Sequence, residues 1–402
     1  MFESTVYGEI PIWKRPLHST KARLAKNYLK LLPSVKIIGI TGSVGKTLTQ
    51  NAIASVLSQK YKVAVGDENL DPTFRIPQTI LRAKVWDKFI ILEYGIEAPN
   101  QMDYYLSIAK PNIAIITQIA PTHTKHLKDV QGVQKEKAKI IEGLKYSDIA
   151  ILNADDPNSI PLVKRTKATI VWFGQNAKAK EVVKISHFTQ TVEGSTFRMH
   201  YMGQQEKVHW NILGKHQLTS AYIAATVGII NKMTLKQIAK GLQLTIAPQN
   251  RMNLITSEKY TIINDSYNSS PIAAKEAINT LLAIAKNKKK VLVLGEMKDL
   301  GKLSKKEHID LGLLIAKTNI NYLFTIGTRA NLIAKTAELA YFNGKIITSQ
   351  DTNALLLKIK KIVPKKSFIL VKGSRHTHLE RVVLGLTNKP TNISCYHCGK
   401  LN

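Results

Sequence analysis

Residues that can bind a nucleotide phosphate occur together early in the chain, between Ile37 and Thr47. A run of apolar residues leads there into a glycine-containing turn, which is followed by Lys46 and an amphipathic segment. Glycines let backbone N–H groups approach an anion, and the N-terminus of a helix adds positive potential. Lys46 can then reach the β- and γ-phosphates of a nucleotide, and the Thr47 hydroxyl can bind Mg2+.

The spacing departs from a strict Walker A motif, because Ile40 stands where that motif has glycine. We therefore predict a variant nucleotide site, with an ordinary structural turn as the alternative. The residues predicted to bind the nucleotide there are Thr41, Gly42, Ser43, Val44, Gly45, Lys46 and Thr47.

Two further candidates follow apolar runs that are typical of buried strands. Glu93 ends the run FIILE, and His123 follows the predicted strand Ile113–Thr117. Ligands of open α/β sheets bind at the carboxyl ends of the strands, where a carboxylate can hold a phosphate-bound Mg2+. The alternatives are a surface carboxylate for Glu93 and a structural histidine for His123.

The pattern of apolar runs and amphipathic segments predicts an α/β fold with two parallel sheets. The strands predicted for the first half are Lys36–Ile40, Lys62–Val65, Phe89–Glu93, Ile113–Thr117 and Ile149–Asn153. Residues 169–213 alternate like antiparallel hairpins. The strands predicted for the second half are Tyr260–Asn264, Val291–Leu294, Tyr322–Ile326, Lys345–Thr348 and Phe368–Val371.

These elements predict four parts of the chain. Residues 1–35 form an N-terminal extension, and residues 36–246 form a P-loop parallel-sheet ATPase domain with a small antiparallel β insertion. Residues 247–390 form a smaller Rossmann-like doubly wound domain, and residues 391–402 form a tail.

The chain has 402 residues and a formal net charge of +30, with 58 Lys and Arg against 28 Asp and Glu. Only 10 of the basic residues are Arg, whereas readers of nucleic acid use Arg for its planar fork. We therefore predict a solvated, lysine-rich surface and no nucleic-acid partner. The alternative is that the positive charge is functional and attracts a polyanionic small molecule. No apolar stretch approaches the ~18 residues of a membrane helix. The two cysteines, Cys395 and Cys398, are too close together in sequence to staple a fold, which favours a reducing compartment. We expect a cytoplasmic monomer without a membrane span.

Several motifs, taken together and in order, resemble the Mur ligase family, whose members form amide bonds in bacterial cell-wall assembly at the expense of ATP. The first half contributes GITGSVGKT (39–47), ILEYG (91–95), IAPTHTKHL (119–127), QKEKAKI (134–140), ILNADDP (151–157), GKHQLTSAYIAA (214–225) and PQNRM (248–252). The second half adds INDSYNSSP (263–271), LGEMKDLG (294–301) and LVKGSR (370–375). The last three motifs are similar to the branch that adds D-alanyl-D-alanine to a UDP-N-acetylmuramoyl tripeptide.

The resemblance implies a reaction in which a substrate carboxylate attacks the γ-phosphate of ATP to give an acyl phosphate. An amine then displaces the phosphate and leaves an amide. ATP and Mg2+ are the implied cofactors. The implied partners are small molecules, namely ATP, a muramyl-peptide-like carboxylate and a D-alanyl-D-alanine-like amine.

The resemblance also assigns residues of the first domain. Thr47, Glu93 and His123 match magnesium ligands, and Lys137 falls where family members carry a carbamylated lysine that helps to hold a second metal. Lys46, Lys137, His123 and Arg251 make up the implied catalytic set. A solvated charge is the alternative for Lys137, because it lies between Lys135 and Lys139 on a predicted helix.

In the second domain, Arg251, Asp265 and Asn268 match contacts to ATP, whereas Tyr267 and the loop of Lys372, Ser374 and Arg375 match contacts to the acidic substrate. A helix cap is the alternative for Asp265, since Pro271 opens a helix soon afterwards. A plain capped loop is the alternative for the residues after Val371. The segment Glu296 to Gly301 is expected to shape the acceptor side.

The chain departs from the family pattern in three places. Residues 1–35, with the basic stretch Lys21–Leu32, are too few for the UDP-binding domain of relatives, so we expect the customary uridine site to be missing. The acyl substrate is then held by the remaining domains or another chain, or it is a different carboxylate. Gln217 and Ser220 replace two asparagines, and the amide of Gln217 can keep a contact to ATP. In the loop after Gly66, Asp71, Pro72 and Arg75 stand where relatives favour asparagine and glycine, which predicts altered substrate specificity.

The tail carries Cys395 and Cys398, which form half of a zinc knuckle. Structural zinc takes four ligands, so these candidate zinc ligands would need His376, His378 or another chain. We favour a disordered tail over a metal site.

The sequence thus predicts an ATP-dependent acid–amine ligase of peptidoglycan precursor synthesis. One alternative is a Mur-type amide ligase with a different acyl substrate, and another is a P-loop protein that binds nucleotide without catalysis.

Overall fold

The computed structural model describes residues 15–67, 71–178 and 182–391. The chain divides into two compact units, which are described one after the other. The first comprises the chain up to Thr189 together with Ser195–Asn211 and Gln217–Ile246, and the second comprises Gln190–Gly194, Ile212–His216 and the chain from Ala247 onward.

The first unit is built on a six-stranded parallel sheet with the strand order β2-β3-β1-β4-β5-β6. Its strands are β1 (Lys36–Thr41), β2 (Val63–Val65), β3 (Phe89–Glu93), β4 (Ile113–Ile116), β5 (Ile149–Asn153) and β6 (Thr169–Phe173). The central strands β3 and β4 are buried along their whole length, as expected for a parallel sheet with helices on both faces. The predicted strands of this half differ from the observed ones by one residue at some ends.

One prediction for this sheet is wrong. Thr169–Phe173 was assigned to antiparallel hairpins, but it pairs in parallel with β5 at the sheet edge. A five-residue apolar run has the same pattern in either direction, and here the 3-10 crossover Ile160–Arg165 sets that direction. The small sheet of β7 (Lys184–Thr191), β8 (Gly194–Tyr201) and β9 (Gln204–Trp210) follows, with β8 and β9 antiparallel as predicted.

Eight helices in the described part of this unit flank these sheets. They are α1 (Arg15–Tyr28), α2 (Lys46–Leu57), α3 (Pro72–Arg82), α4 (Gln101–Ile108), α5 (Thr124–Leu127), α6 (Val130–Glu142), α7 (Leu218–Ile230) and α8 (Leu235–Gln243). Of these helices, the sequence patterns predict α2 (as residues 46–59), α6 (as residues 132–144) and α7 (as residues 217–230).

Helices α2 and α8 touch backbone to backbone. A Cβ atom at Gly241 of α8 would lie 2.4 Å from the Cα atom of Val56 in α2. The Ser55 hydroxyl donates a hydrogen bond to the Gly241 carbonyl at 2.6 Å. Gly241 therefore permits a helix contact that no larger residue would allow, and this contact fixes the helix that carries Lys46.

The second unit is a mixed six-stranded sheet with the order β10-β11-β15-β12-β13-β14. Its strands are β10 (Asn253–Thr256), β11 (Tyr260–Asp265), β12 (Lys290–Leu294), β13 (Tyr322–Ile326), β14 (Lys345–Ser349) and β15 (Ser367–Lys372). The helices are α9 (Pro271–Ala285), α10 (Ser304–Ala316), α11 (Ala330–Leu339), α12 (Thr352–Ile362) and α13 (Glu380–Leu386).

All strand pairs of this sheet are parallel except that of β10 with β11. Strand β10 was not predicted, because a four-residue edge strand is too short to show a period. Two apolar clusters cover the sheet, one centred on Ile278 and Leu292 and the other on Val293 and Ile369. The predicted fold class is confirmed, and within the described residues no helix is long and apolar enough to cross a bilayer.

Candidate functional site

The predicted phosphate loop lies between β1 and α2 in the first unit. Gly42 has φ of 148°, and a Cβ atom there would lie 1.9 Å from the Thr117 hydroxyl oxygen. Gly45 is the N-cap of α2 with φ of 80°, in the left-handed region that disfavours other residues. Both glycines of the predicted motif are therefore required by the backbone.

A second loop, which follows β4, fixes the phosphate loop. The Thr117 hydroxyl donates to the Val44 carbonyl at 2.6 Å, and the Ser43 amide donates to the Gln118 carbonyl at 2.7 Å. The Ser43 hydroxyl also donates to the Ala120 carbonyl at 2.8 Å. With the loop held in this way, its backbone shape is set before any ligand binds, which favours anion binding at the helix N-terminus.

Lys46 and Thr47 are the first two residues of α2. The N-cap of this helix is a glycine, so no side chain caps its first amides. The Lys46 ammonium donates to the Gly42 carbonyl at 3.0 Å, so the lysine lies along its own loop. The Thr47 hydroxyl donates to Oε2 of Glu93 at 3.0 Å. Glu93 is only 7% exposed at the end of β3, so the interpretation of a surface carboxylate is wrong.

The Glu93 carboxylate has a second partner that the sequence reasoning missed. Arg75 of α3 places its Nη2 atom 2.6 Å from the same Oε2 atom, and both side chains are buried. The two residues are 18 positions apart, and no spacing rule predicts their contact. The sequence had marked Arg75 only as a departure from the family pattern.

His123 precedes α5 in a left-handed conformation with φ of 55°. Its ring is largely buried, and Nδ1 has no hydrogen-bond partner. Burial, together with the nearby Lys137 and Lys46 side chains, lowers the pKa of His123 to about 3. The imidazole is therefore neutral near pH 7, the form in which histidine binds a metal.

Lys137 of α6 is 1% exposed, so the interpretation as a solvated charge is wrong. Burial and the Lys46 ammonium lower its pKa well below the ordinary value, whereas Glu136 and Glu93 act in the opposite direction. In the part of the chain that the structure describes, Lys137 forms no ion pair. Its neighbour Lys139 instead pairs with Asp103 at 2.5 Å.

Gln217 lies at the N-cap of α7, where its side chain makes no capping hydrogen bond. The second substituted position, Ser220, shares a hydrogen bond of 2.9 Å with the Thr49 hydroxyl of α2. Ser220 thus joins α7 to the phosphate-loop helix. The contact of Gln217 with ATP stays a prediction.

In the second unit, Lys372 at the end of β15 donates to Asp265 at the end of β11 at 2.5 Å. The ammonium also donates to the Asn268 carbonyl at 3.0 Å. The interpretation of Asp265 as a helix cap is wrong, because the N-cap of α9 is Ser270. These contacts join the loops after two neighbouring strands.

Two guanidinium groups lie over the ring of Tyr267, which belongs to the same loop. The Arg251 Cζ atom is 4.0 Å and the Arg375 Cζ atom 5.0 Å from the ring centroid. Stacked arginines keep their charge and can donate hydrogen bonds to carboxylate or phosphate oxygens. Three of the predicted residues of this unit therefore form one cationic group.

His216 is a half-buried residue near this cluster to which the sequence analysis gave no role. Burial lowers the pKa of His216 to about 4, with Asp265 raising it and Lys372 lowering it. The imidazole is therefore neutral at neutral pH beside a compensated ion pair.

The loop of residues 294–301 is joined to the loop after β15. The Ser374 hydroxyl accepts from the Lys298 amide at 2.9 Å, and the Ser374 amide donates to the Glu296 carbonyl at 2.9 Å. The Glu296 carboxylate accepts from the Arg329 amide at 2.9 Å and lies 3.2 Å from Nε2 of His376. The three motifs that pointed to one branch of the family thus share one end of the second sheet.

Not every predicted site residue can be placed. Cys395 and Cys398 lie outside the described residues. His376 and His378, the suggested partners of these cysteines, face Glu296 and Glu380. Among the described residues no three His, Cys, Asp or Glu side chains form a metal-binding group. Thr47 and Glu93 are in contact. His123 and Lys137 both interact electrostatically with the Lys46 side chain.

Comparisons with known proteins agree with both halves of the chain. Residues 40–228 match the Mur ligase middle domain, and residues 250–375 match the domain described as Mur ligase, glutamate ligase domain. The chain is 31% identical over 372 residues to the UDP-N-acetylmuramoyl-tripeptide--D-alanyl-D-alanine ligase of Bacillus subtilis, covering 92% of this chain and 79% of that protein. It is 26% identical over 360 residues to the Escherichia coli protein of the same name, covering 89% and 78%.

Solved structures are similar over the same range. MurF from Acinetobacter baumannii superposes with a TM-score of 0.84 at 25% identity, over 92% of this chain and 81% of that one. The MurF ligase of Thermotoga maritima in complex with ADP gives a TM-score of 0.81 at 24% identity, over 92% and 84%. Folylpolyglutamate synthase from Mycobacterium tuberculosis shares the fold, with a TM-score of 0.66 at 15% identity, over 92% and 95%.

Proposed function

Because this chain belongs to the Mur ligase family, we propose that it joins D-alanyl-D-alanine to a UDP-N-acetylmuramoyl tripeptide at the expense of ATP. The predicted enzyme class, an ATP-dependent carbon–nitrogen ligase, is confirmed by its relatives. The observation that carries the proposal is the preformed phosphate loop with Lys46 and the Thr47–Glu93 contact at its base. Phosphoryl transfer depends mainly on positioning of the reactants and on charge neutralisation, and these residues can provide both.

The reaction proceeds in two balanced steps. A carboxylate oxygen of the tripeptide bonds to the γ-phosphorus of ATP, the bond to the β-phosphate oxygen breaks, and ADP leaves. The amine of the dipeptide then bonds to the acyl carbon, the carbon–oxygen bond to phosphate breaks, and the amine loses a proton. In the first step the backbone amides of the loop and Lys46 hold the phosphates.

We assign Mg2+ to Thr47 and Glu93. Their oxygens are hydrogen-bonded at 3.0 Å, and oxygen ligands are those that Mg2+ prefers. When bound, the ion neutralises negative charge on the phosphates. His123 is a further candidate, because its buried neutral ring has an Nδ1 atom without a partner.

We propose that Lys137 is carbamylated. The reaction needs a neutral amine, which bonds to the carbon of CO2 and loses a proton, and burial of Lys137 favours that neutral form. The product carboxylate would compensate the Lys46 ammonium, which now lowers the pKa of Lys137. Carbon-13 NMR in labelled bicarbonate should show a carbamate signal that is absent from Lys137→Met. Lys139→Met, two residues away on the same helix, should retain the signal.

For the second unit we propose that Arg251, Asp265, Asn268 and, from the first unit, Gln217 contact ATP. Tyr267, Ser374 and Arg375 contact the acidic substrate. The two guanidinium groups on Tyr267 support this role, since both remain cationic at any working pH. Lys372 is buried against Asp265, so we assign it to holding the two loops together.

We further propose domains over residues 36–246 and 247–390, a monomeric enzyme and activity in the cytoplasm, where ATP is available. The partners are its small-molecule substrates. We propose no nucleic-acid partner, because the chain has many lysines but few arginines.

Phosphate release tests the function. Purified protein is mixed with ATP, Mg2+, UDP-N-acetylmuramoyl tripeptide and D-alanyl-D-alanine, and we expect phosphate only when both substrates are present. Lys46→Ala should lower kcat at least about 100-fold, the scale of losing a charge contact to a transition state, whereas exposed Lys62→Ala should not. Turnover with another carboxylate alone would establish a different acyl substrate. ATP binding without turnover across all substrate pairs would identify a non-catalytic nucleotide-binding protein.

A further inference from the structure

The oxygen atom of Glu93 that faces the phosphate loop already has a cationic partner. Oε2 accepts from Arg75 Nη2 at 2.6 Å and from the Thr47 hydroxyl at 3.0 Å. Arg75 is 5% exposed and Glu93 is 7% exposed, so neither charge is screened by bulk water. A divalent cation on this oxygen would meet a guanidinium group that is in place before it arrives.

The surrounding structure is shaped to hold Arg75. A Cβ atom at Gly66 would lie 2.7 Å from the Arg75 Cγ atom, so a larger residue there would collide with the arginine stem. Helix α3 begins with Asp71 accepting from the Thr73 amide at 2.8 Å, which fixes the turn that carries Arg75. The Thr79 hydroxyl donates to the Arg75 carbonyl at 2.7 Å.

The protein does not use all of the hydrogen-bonding capacity of this guanidinium group. Its Nε atom is buried without a hydrogen-bond partner, and its Nη1 atom lies 3.5 Å from the Asp67 carbonyl. The ion pair with Glu93 is thus the strong contact of Arg75. An arginine keeps its proton at every accessible pH, so only a competing cation or a movement of the helix can release Glu93.

We propose that Arg75 is a resident cation of the phosphate site, which neutralises Glu93 in the nucleotide-free protein and competes with a divalent cation for its Oε2 atom. Two positive groups cannot share one buried oxygen without repulsion. Mg2+ sheds its water reluctantly, which adds to this barrier. A divalent cation therefore enters together with the nucleotide phosphates and not before them. This inference rests on the proposed function, since it concerns the same site.

The test measures Mn2+ binding to the nucleotide-free protein by electron paramagnetic resonance of free Mn2+. Arg75→Met keeps the length of the side chain but removes the charge, and we expect it to bind Mn2+ at least tenfold more tightly than wild type. Arg75→Lys restores a cation and should stay within threefold of wild type. Arg82→Met, on the same helix with an exposed ion pair to Asp67, should not change the affinity. Equal or weaker Mn2+ binding by folded Arg75→Met would overturn the proposal.

A second measurement covers the case in which Arg75→Met does not fold. If Arg75 withholds Glu93 from metals, Glu93→Gln should leave the Mn2+ affinity of the nucleotide-free protein within twofold of wild type. A tenfold loss in Glu93→Gln would show that the carboxylate is available and would refute the proposal.

These outcomes are separable from the proposed function. Phosphate release depends on both substrates and is measured with Arg75 and Glu93 unchanged, whereas the Mn2+ measurements need neither ATP nor substrate. An enzyme that ligates while Arg75→Met binds Mn2+ no more tightly refutes only the role of Arg75. A chain that shows the Mn2+ pattern without turnover refutes only the function.

Discussion

Two lysines, one in each unit, are almost completely buried, yet their surroundings are opposite. Lys372 is 2% exposed and donates to Asp265 at 2.5 Å and to the Asn268 carbonyl at 3.0 Å. Lys137 is 1% exposed and has no ion pair among the described residues. Its largest electrostatic neighbour is another ammonium group, Lys46.

We infer that Lys372 stabilises the fold, whereas Lys137 is available for a chemical reaction. A buried ammonium group is tolerated when a carboxylate compensates it, and Lys372 meets that condition. Lys137 does not, so its neutral form is favoured, and in that form the nitrogen carries a lone pair that can form a bond. We expect the two lysines to respond differently to removal and to pH.

The largest effect should follow from removing the compensated lysine. Lys372→Met leaves Asp265 buried without its partner, and we expect a loss of about 3–5 kcal/mol in the free energy of unfolding. Urea unfolding followed by circular dichroism measures this loss. The double variant Lys372→Met with Asp265→Asn should recover part of it, because no lone charge remains. A loss under about 1 kcal/mol would mean that the Lys372–Asp265 pair contributes no more than a surface ion pair. The contrast with Lys137 would then not hold.

A second, smaller effect concerns His216 beside this pair. Burial lowers the pKa of His216 to about 4 from 6.5, so between these values the unfolded chain binds more protons. Stability should therefore fall as the pH falls from 6.5 to 4, by about 3 kcal/mol in total. Comparison of wild type with His216→Gln in pH-dependent unfolding isolates the contribution. Parallel profiles would mean that His216 is more hydrated than its burial indicates.

The third effect is a change, produced by Lys137, in the slope of stability against pH. Its folded pKa lies below the ordinary value of 10.5, so between the two values the unfolded chain again binds more protons. In CO2-free buffer the stability of wild type should rise with pH relative to Lys137→Met, by at most about 1.4 kcal/mol per pH unit. Lys139→Met serves as the control. Identical slopes in wild type and Lys137→Met would show that Lys137 is protonated when folded.

The strands and the phosphate loop could be predicted because each depends on local sequence. A buried apolar run indicates a central parallel strand, and Gly42, Gly45 and Lys46 have a fixed spacing in the turn. The resemblance to a family then pointed to Glu93, which lies at the predicted sheet edge. The direction of β6 could not be predicted, because one short apolar strand fits both directions.

Burial of single charges could not be predicted either. Lys135, Lys137 and Lys139 alternate along one helix, and only the packing around α6 determines that Lys137 is the buried one. The contact of Arg75 with Glu93 joins a helix to the end of a strand, so no periodic pattern predicts it. His216 was noted only as part of a motif, and its burial near Asp265 emerges from the fold of the second unit.

The backbone contact between Gly241 and Val56 limits how the first unit can move. Helix α2 cannot slide along its axis without driving its own backbone into α8, and the Ser55 hydrogen bond resists rotation. The helix behind the phosphate loop should therefore stay fixed when a nucleotide binds. The amides in the middle of α2 should accordingly be among the last of the first unit to exchange with deuterium.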